Sequence, residues 1–219
     1  MNFLSIALMA LVLFSCGGGS GKKGSGGKSL FTPVSSGHPY EMLVVIDKDM
    51  WERPAGRALF NALDMDVPGL PQPERSFRIS QIIPDKFERG FRIFRNIIDV
   101  DIQPIYTQPK LKYSRDSYAS PQMIMTIQAP DEASFEEFVN QNKQVIVDFF
   151  TKAEMNRQIN LLKEKYSDVV ATKVGSMFGC DVRVPVGFER YKQGKDFFWT
   201  SEDRPGSEVS LNFVVYSYP

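Results

Sequence analysis

Between Gly17 and Ser29 the chain reads GGGSGKKGSGGKS, and this stretch limits what the rest can build. It holds no side chain able to enter a core, and Gly/Ser sequence of this kind behaves as flexible coil. A fold must therefore come from one side of it. The amino-terminal side offers Phe3 to Phe14, FLSIALMALVLF, apolar except for Ser5. A membrane-spanning helix needs about 20 apolar residues, and this run stops sooner, at Ser15-Cys16. A short apolar run closed by small residues has the layout of a secretory signal. The fold then belongs to the carboxyl-terminal side, and the expected organisation is a signal over 1–15, a tether over 16–36 and a domain over 37–219.

Composition supports such a domain and excludes several partners. Seventeen Phe and eight Tyr can bury a sizeable core. With 26 basic and 26 acidic residues there is no electrostatic footprint for nucleic acid and no polybasic membrane patch. Gly27-Lys28-Ser29 imitates the end of a phosphate-binding loop, but that motif needs a glycine where Lys22 stands, and a strand before it. No cofactor is expected.

Leu13-Phe14-Ser15-Cys16 resembles the lipobox, the processing site of bacterial lipoproteins. The resemblance implies that Cys16 takes a diacylglyceryl thioether and becomes the acylated mature amino terminus. Several acyl chains anchor stably where one binds only marginally. The membrane, through Cys16, is then the first partner, and Cys180 is the mature chain's only free thiol.

Along the remaining sequence Tyr40–Ile46 reads as a buried strand, followed by a helix from Asp49 to about Leu63, with Pro54 early in it. Phe77–Ile83 is a second strand. Asp85 opens a short helix whose Phe87, Phe91 and Phe94 share one face. Asn96–Ile102 and Gln122–Gln128 are further strands. The longest helix occupies about 131–165, with Phe135, Phe138, Val139, Ile146, Phe149 and Phe150 inward. Helix resumes after Ser167-Asp168 and stops at Gly179. Cys180–Val184, Asp196–Thr200 and Val209–Tyr218 close the chain as strands. This order predicts an α+β fold, a mixed or antiparallel sheet layered with helices. The apolar ending at Tyr218-Pro219 suggests that the native chain continues.

From Ser36-Gly-His-Pro-Tyr40 to the end the chain resembles domain-of-unknown-function family 4837, a set of Bacteroides-group lipoproteins. Pro54-Ala-Gly-Arg-Ala-Leu-Phe60, Asp66-Val-Pro-Gly-Leu-Pro-Gln-Pro73, Arg95-Asn-Ile-Ile98, Asn156-Arg-Gln158 and Met177-Phe-Gly-Cys180 carry the resemblance. It implies a lipid-anchored envelope protein and brings no activity. In that group acidic residues after the lipidated Cys favour export to the cell surface. Gly and Lys stand there instead, which implies the outer membrane's periplasmic face.

Candidate chemistry is sparse. His38 is the only histidine, which excludes a histidine metal cluster, and between Gly37 and Pro39 it reads as a turn residue. Glu41, Asp47 and Asp49 flank the first strand and would serve a glycosidase only if two faced each other across roughly 5–9 Å. Otherwise Asp47 and Asp49 cap the next helix. Arg89, Arg92 and Arg95 form a possible anion-binding stripe or a solvated helix side. Cys180 reads as a small buried hydrophobe. Trp51 and Trp199, with Phe197, Phe198, Tyr216 and Tyr218, make either a sugar platform or packing. The expectation is a non-catalytic binding or assembly module, with an envelope protein as possible partner. The alternative is an envelope polysaccharide hydrolase using carboxylates such as Glu41, Asp47 and Asp49.

Overall fold

A computed structural model describes residues 32–203 and 210–218. The signal segment, Cys16, the phosphate-loop imitation and most of the tether lie outside the described residues. The fold is α+β, with one mixed sheet, one small antiparallel sheet and a long helix, as the sequence predicts.

Five strands form the larger sheet: β1 (Glu41–Val45), β2 (Arg78–Ile82), β3 (Asn96–Ile102), β4 (Lys110–Arg115) and β5 (Met123–Ala129), in the order β2-β1-β3-β5-β4. The first three and β5 run parallel, and β4 is the antiparallel edge. Met42, Leu43, Val44 and Val45 are all buried. A parallel strand covered on both faces needs such an unbroken apolar run.

The expected first helix is two. Asp47, not Asp49, caps α1 (Lys48–Glu52), its carboxylate accepting from the Asp49 and Met50 amides at 2.9 and 3.2 Å. Pro54 then opens α2 (Pro54–Leu63) and drives Arg53 into an extended conformation, so the helix cannot run through. At this corner a Cβ on Gly56 would lie 2.3 Å from the Met50 carbonyl oxygen.

Both helices pack on one sheet face beside α4 (Glu132–Glu164). Asp131 caps α4 by accepting from the Ser134 amide at 2.7 Å. Asn142 interrupts it with a non-helical backbone, its side-chain amide donating to the Phe138 carbonyl. Phe135, Val139, Ile146 and Phe150 enter the core as expected, whereas Phe138 and Phe149 only pack at its margin.

Among the described residues the other face carries a 3-10 turn (Pro84–Lys86) and one-turn α3 (Arg89–Arg92) in place of the expected helix. Phe87 and Phe94 cover Leu43, Val45 and Ile97 there, while Phe91 stays exposed and stacks on Phe94.

Beyond α4, α5 (Asp168–Phe178) starts at a Ser167 cap and ends at Gly179, which takes φ 68° as a left-handed stop. Val170 and Val174 pack on Phe198 of an antiparallel sheet ordered β6 (Arg190–Gln193), β7 (Phe197–Asp203) and β8 (Ser210–Tyr216). The expected strand at Cys180–Val184 is irregular chain. Cys180 is exposed rather than buried, because Gly179 turns the chain outward at the helix end.

Candidate functional site

The crossover from β1 to β2 lies on the α2 and α4 face, and that from β2 to β3 on the opposite face. The connections diverge between β1 and β3, and open parallel sheets take ligands outside the carboxyl ends of strands at such a point. The register shows what lies there. Asp99 pairs with Val45 and with Thr126, Asp101 with Gln128, and across the antiparallel edge Lys112 faces Thr126 and Lys110 faces Gln128. Registered side chains share a face. Six polar residues thus continue the apolar patch that Phe87 and Phe94 cover.

Asp101 is the hub. One carboxylate oxygen accepts from the Tyr106 hydroxyl at 2.5 Å and from Gln128 Nε2 at 2.7 Å, and the other accepts from Gln103 Nε2 at 2.7 Å. Gln128, almost fully buried, also donates to the Tyr106 oxygen at 2.6 Å, and its Oε1 has no hydrogen-bond partner. Burial pushes the Asp101 carboxyl up, but the bonds from Tyr106, Gln128 and Gln103 and the charge of Lys112 outweigh it and hold the group below the usual carboxylate range. Asp99, lacking such donors, is pushed up by burial and by the Asp101 charge. Tyr106 is pushed up as well, first by its bond to Asp101. The floor therefore offers one firmly ionised carboxylate, a second biased toward neutrality, an amide, a phenol and two ammonium groups. Such a set has the donors and acceptors that a polar ligand would need.

The residues named from sequence fall elsewhere. The His38 amide donates to Glu41 Oε2 at 2.8 Å, closing a turn, and Glu41 also pairs with Arg78 at 3.3 Å. Glu41 starts β1 and Asp47 follows its end, so about 20 Å of strand separates them. They cannot form a carboxylate pair, which corrects the Glu41, Asp47, Asp49 constellation. Arg92 donates to the Phe87 carbonyl, and its guanidinium lies over the Phe87 and Tyr118 rings. Arg95 lies past α3 and is drawn inward, so no arginine stripe forms. Trp51 packs edge-on against Phe60. Trp199 donates to Asn212 Oδ1 on the small sheet, and Phe198 is core, so the aromatics do not assemble as one platform.

Sequence reading missed the most buried charge. Glu154, fully buried on α4, accepts from Asn96 Nδ2 and Arg157 on one oxygen and from Arg95 on the other, each at 2.7 Å. Arg157 further donates to Asn96 Oδ1 and to the Arg95 carbonyl. Burial pulls the Arg157 guanidinium down despite the Glu154 charge, and Arg95 Nε is buried without a partner. The signal was a glutamate on the stripe of Ile146 and Phe150, one helical turn onward. This cluster at the amino end of β3 is a clamp between sheet and helix rather than an open site.

Among the described residues no three His, Cys, Asp or Glu side chains form a metal-holding group, and no helix is long and apolar enough to cross a membrane. No curated protein and no solved structure matches the chain. A family model described as Domain of unknown function (DUF8532) matches residues 35–163, from just before β1 through nearly all of α4. That supports a domain of unknown function, as the resemblance implied, but not the number 4837 or a Bacteroides-group lipoprotein. The match spans more than half of the chain and contains the whole larger sheet, its polar floor and the buried clamp, and on this ground the chain belongs to the family Domain of unknown function (DUF8532).

Proposed function

We propose that the protein is a lipid-anchored, non-catalytic binding module of the cell envelope, attached through Cys16 on the periplasmic side of the outer membrane. The apolar run, the lipobox resemblance, the Gly/Ser tether and the likeness to family 4837 lipoproteins support the anchor. The observation that carries the binding reading is the polar floor at the carboxyl ends of β1, β3 and β5, where Asp101 is held ionised among convergent donors. The occupant is an envelope protein or polar ligand.

Two experiments test this. Cells fed labelled palmitate should incorporate it into the wild type and not into Cys16→Ala; a lipid-labelled, membrane-bound Cys16→Ala chain sinks the anchor. For binding, a photo-crosslinking residue at Lys112 should capture a reproducible partner, and Asp101→Asn should lose it. Equal capture by the Asp101→Asn protein removes the floor from the reading.

A second reading is an envelope polysaccharide hydrolase, now resting on Asp99 and Asp101. Their Cα atoms stand about 6.6 Å apart on one strand face, and their surroundings push the two carboxyls in opposite directions, as an acid and its partner require. Glycan release by the purified protein, abolished by Asp99→Asn, would establish it over the first.

A further inference from the structure

At the amino ends of β1 and β2, away from the polar floor, a cleft of about 500 Å³ opens beside the carboxyl end of α2. That size is ordinary for a small-molecule site. Tyr40, Phe60 and Phe77 give it an aromatic wall, and Asp64, Glu74, Arg75 and Arg78 give it charge. Two of these residues are not explained by folding alone. Tyr40 sits at φ 62°, in the left-handed region that disfavours a tyrosine. Its ring is 37 % exposed, with the Phe77 ring 6.2 Å away, so burial does not account for a bulky side chain there. Strained residues of this kind gather at ligand clamps. Asp64 ends α2, and a carboxylate at the carboxyl end of a helix opposes the helix dipole. Its buried Oδ1 has no hydrogen-bond partner, since Arg75 Nε approaches to 3.1 Å without the alignment of a bond.

From these features we infer that the cleft binds a neutral saccharide, a mono- or disaccharide by its volume. Charge selects this class. Two arginines offset two carboxylates along the wall, and Arg75 and Arg78 are each already paired, with Asp64 and with Glu41. An anion that took either arginine would strand the half-buried carboxylate it now faces. A neutral polyol has no such effect, because each hydroxyl can donate to a carboxylate while accepting from a guanidinium. The ring face of a pyranose is apolar and lies flat on an aromatic side chain, which gives Tyr40 its use. The Tyr40 carbonyl accepts from the Arg78 amide at 2.9 Å, so the strained backbone holds the ring at the cleft as a fixed wall. Asp64 supplies the acceptor for a sugar hydroxyl. The site is separate from Asp101 and does not depend on the polar floor.

The test is saturation-transfer nuclear magnetic resonance on the full-length chain in a detergent without sugar headgroups. The probes are glucose, galactose, N-acetylglucosamine, cellobiose and chitobiose, with glucuronic acid and glucose 6-phosphate as charged counterparts. At least one neutral probe should receive saturation, strongest on the C–H protons of one ring face. Tyr40→Asn, which suits the left-handed backbone, and Asp64→Ala should each weaken that binding about tenfold, the loss of one good contact, with circular dichroism unchanged. Asp101→Asn should leave it intact. Saturation of no neutral probe, binding confined to the charged counterparts, or undiminished binding by either folded cleft variant overturns the proposal. So does loss of binding in Asp101→Asn, which would move the saccharide to the polar floor.

Discussion

Replacing Glu154 by glutamine removes one charge and almost no volume, and the structure sets how much that should cost. The carboxylate is completely buried and accepts three charge- or amide-donated bonds at 2.7 Å. Its two arginine partners are themselves 16 and 10 % exposed in their side chains, so water cannot replace the lost counter-charge. Removing one member of such a buried pair costs about 3–5 kcal/mol, since the remaining charge is stranded. Against a typical total of about 5–15 kcal/mol this is about a fifth of the stability or more. With a urea slope of about 2 kcal/mol/M the midpoint should fall by about 1.5–2.5 M. Equilibrium unfolding in urea, followed by tryptophan fluorescence, measures it. Glu132→Gln is the internal control, because its pair with Arg53 is 52 and 41 % exposed on the two sides and should contribute at most about 1 kcal/mol. Arg95→Met, Glu154→Leu and Arg157→Met made together should cost less than Glu154→Gln alone, since no charge is then stranded. A loss below about 1 kcal/mol for Glu154→Gln would show that the cluster is hydrated and refute the reasoning.

Three further outcomes follow from the geometry. Asp99 has a folded-state pKa above its unfolded value, so stability falls as pH rises from the ordinary aspartate range through that raised value. Asp99→Asn should therefore unfold at higher urea than the wild type at pH 7 and at the same urea near pH 3; an equal difference at both would exclude titration as the cause. Gly56→Ala forces a methyl against the Met50 carbonyl and the Trp51 backbone and should destabilise by about 1–3 kcal/mol or more, read in the unfolding midpoint and in Trp51 emission. Gly179→Ala meets no atom within 4 Å, so its cost should be the left-handed backbone alone, about 1–2 kcal/mol by the same urea assay.

What sequence reading reached follows from where the periodicity was clean. β3 emerged with its bounds intact because Ile98 to Ile102 alternate strictly, and β1 to within one residue at each end because its apolar run is unbroken. The Ser167 start and Gly179 stop of α5 were legible because caps are local chemistry. β4 and β6 were missed for one reason: both are charged edge strands, KLKYSR and RYKQ, whose lysines suppress the strand signal while serving the edge. The single helix expected over Asp49–Leu63 failed at Arg53-Pro54, where the residue before proline leaves helical geometry. The polar floor was hidden because its members come from β3, β4, β5 and the Tyr106 loop, and only strand register brings them together. Asp99 and Asp101 appeared merely as the wet side of an alternation, and Glu154 as one more helix glutamate.

The strand order also dictates a sequence of events during synthesis. Interior β1 is the first of the described strands to be made, yet its neighbours lie 37 residues onward, as from Glu41 to Arg78, and 55 onward, as from Glu41 to Asn96. At about 5–20 residues per second, β1 waits roughly 3–11 s for β3 with both apolar edges bare. No local hairpin can shelter it, because every parallel partner needs a crossover first. The antiparallel β4–β5 hairpin, by contrast, can form as soon as it is made. Capture of β1 should thus be the slow, aggregation-exposed step, and a chaperone holding this chain would be expected to grip the segment Met42 to Ile46.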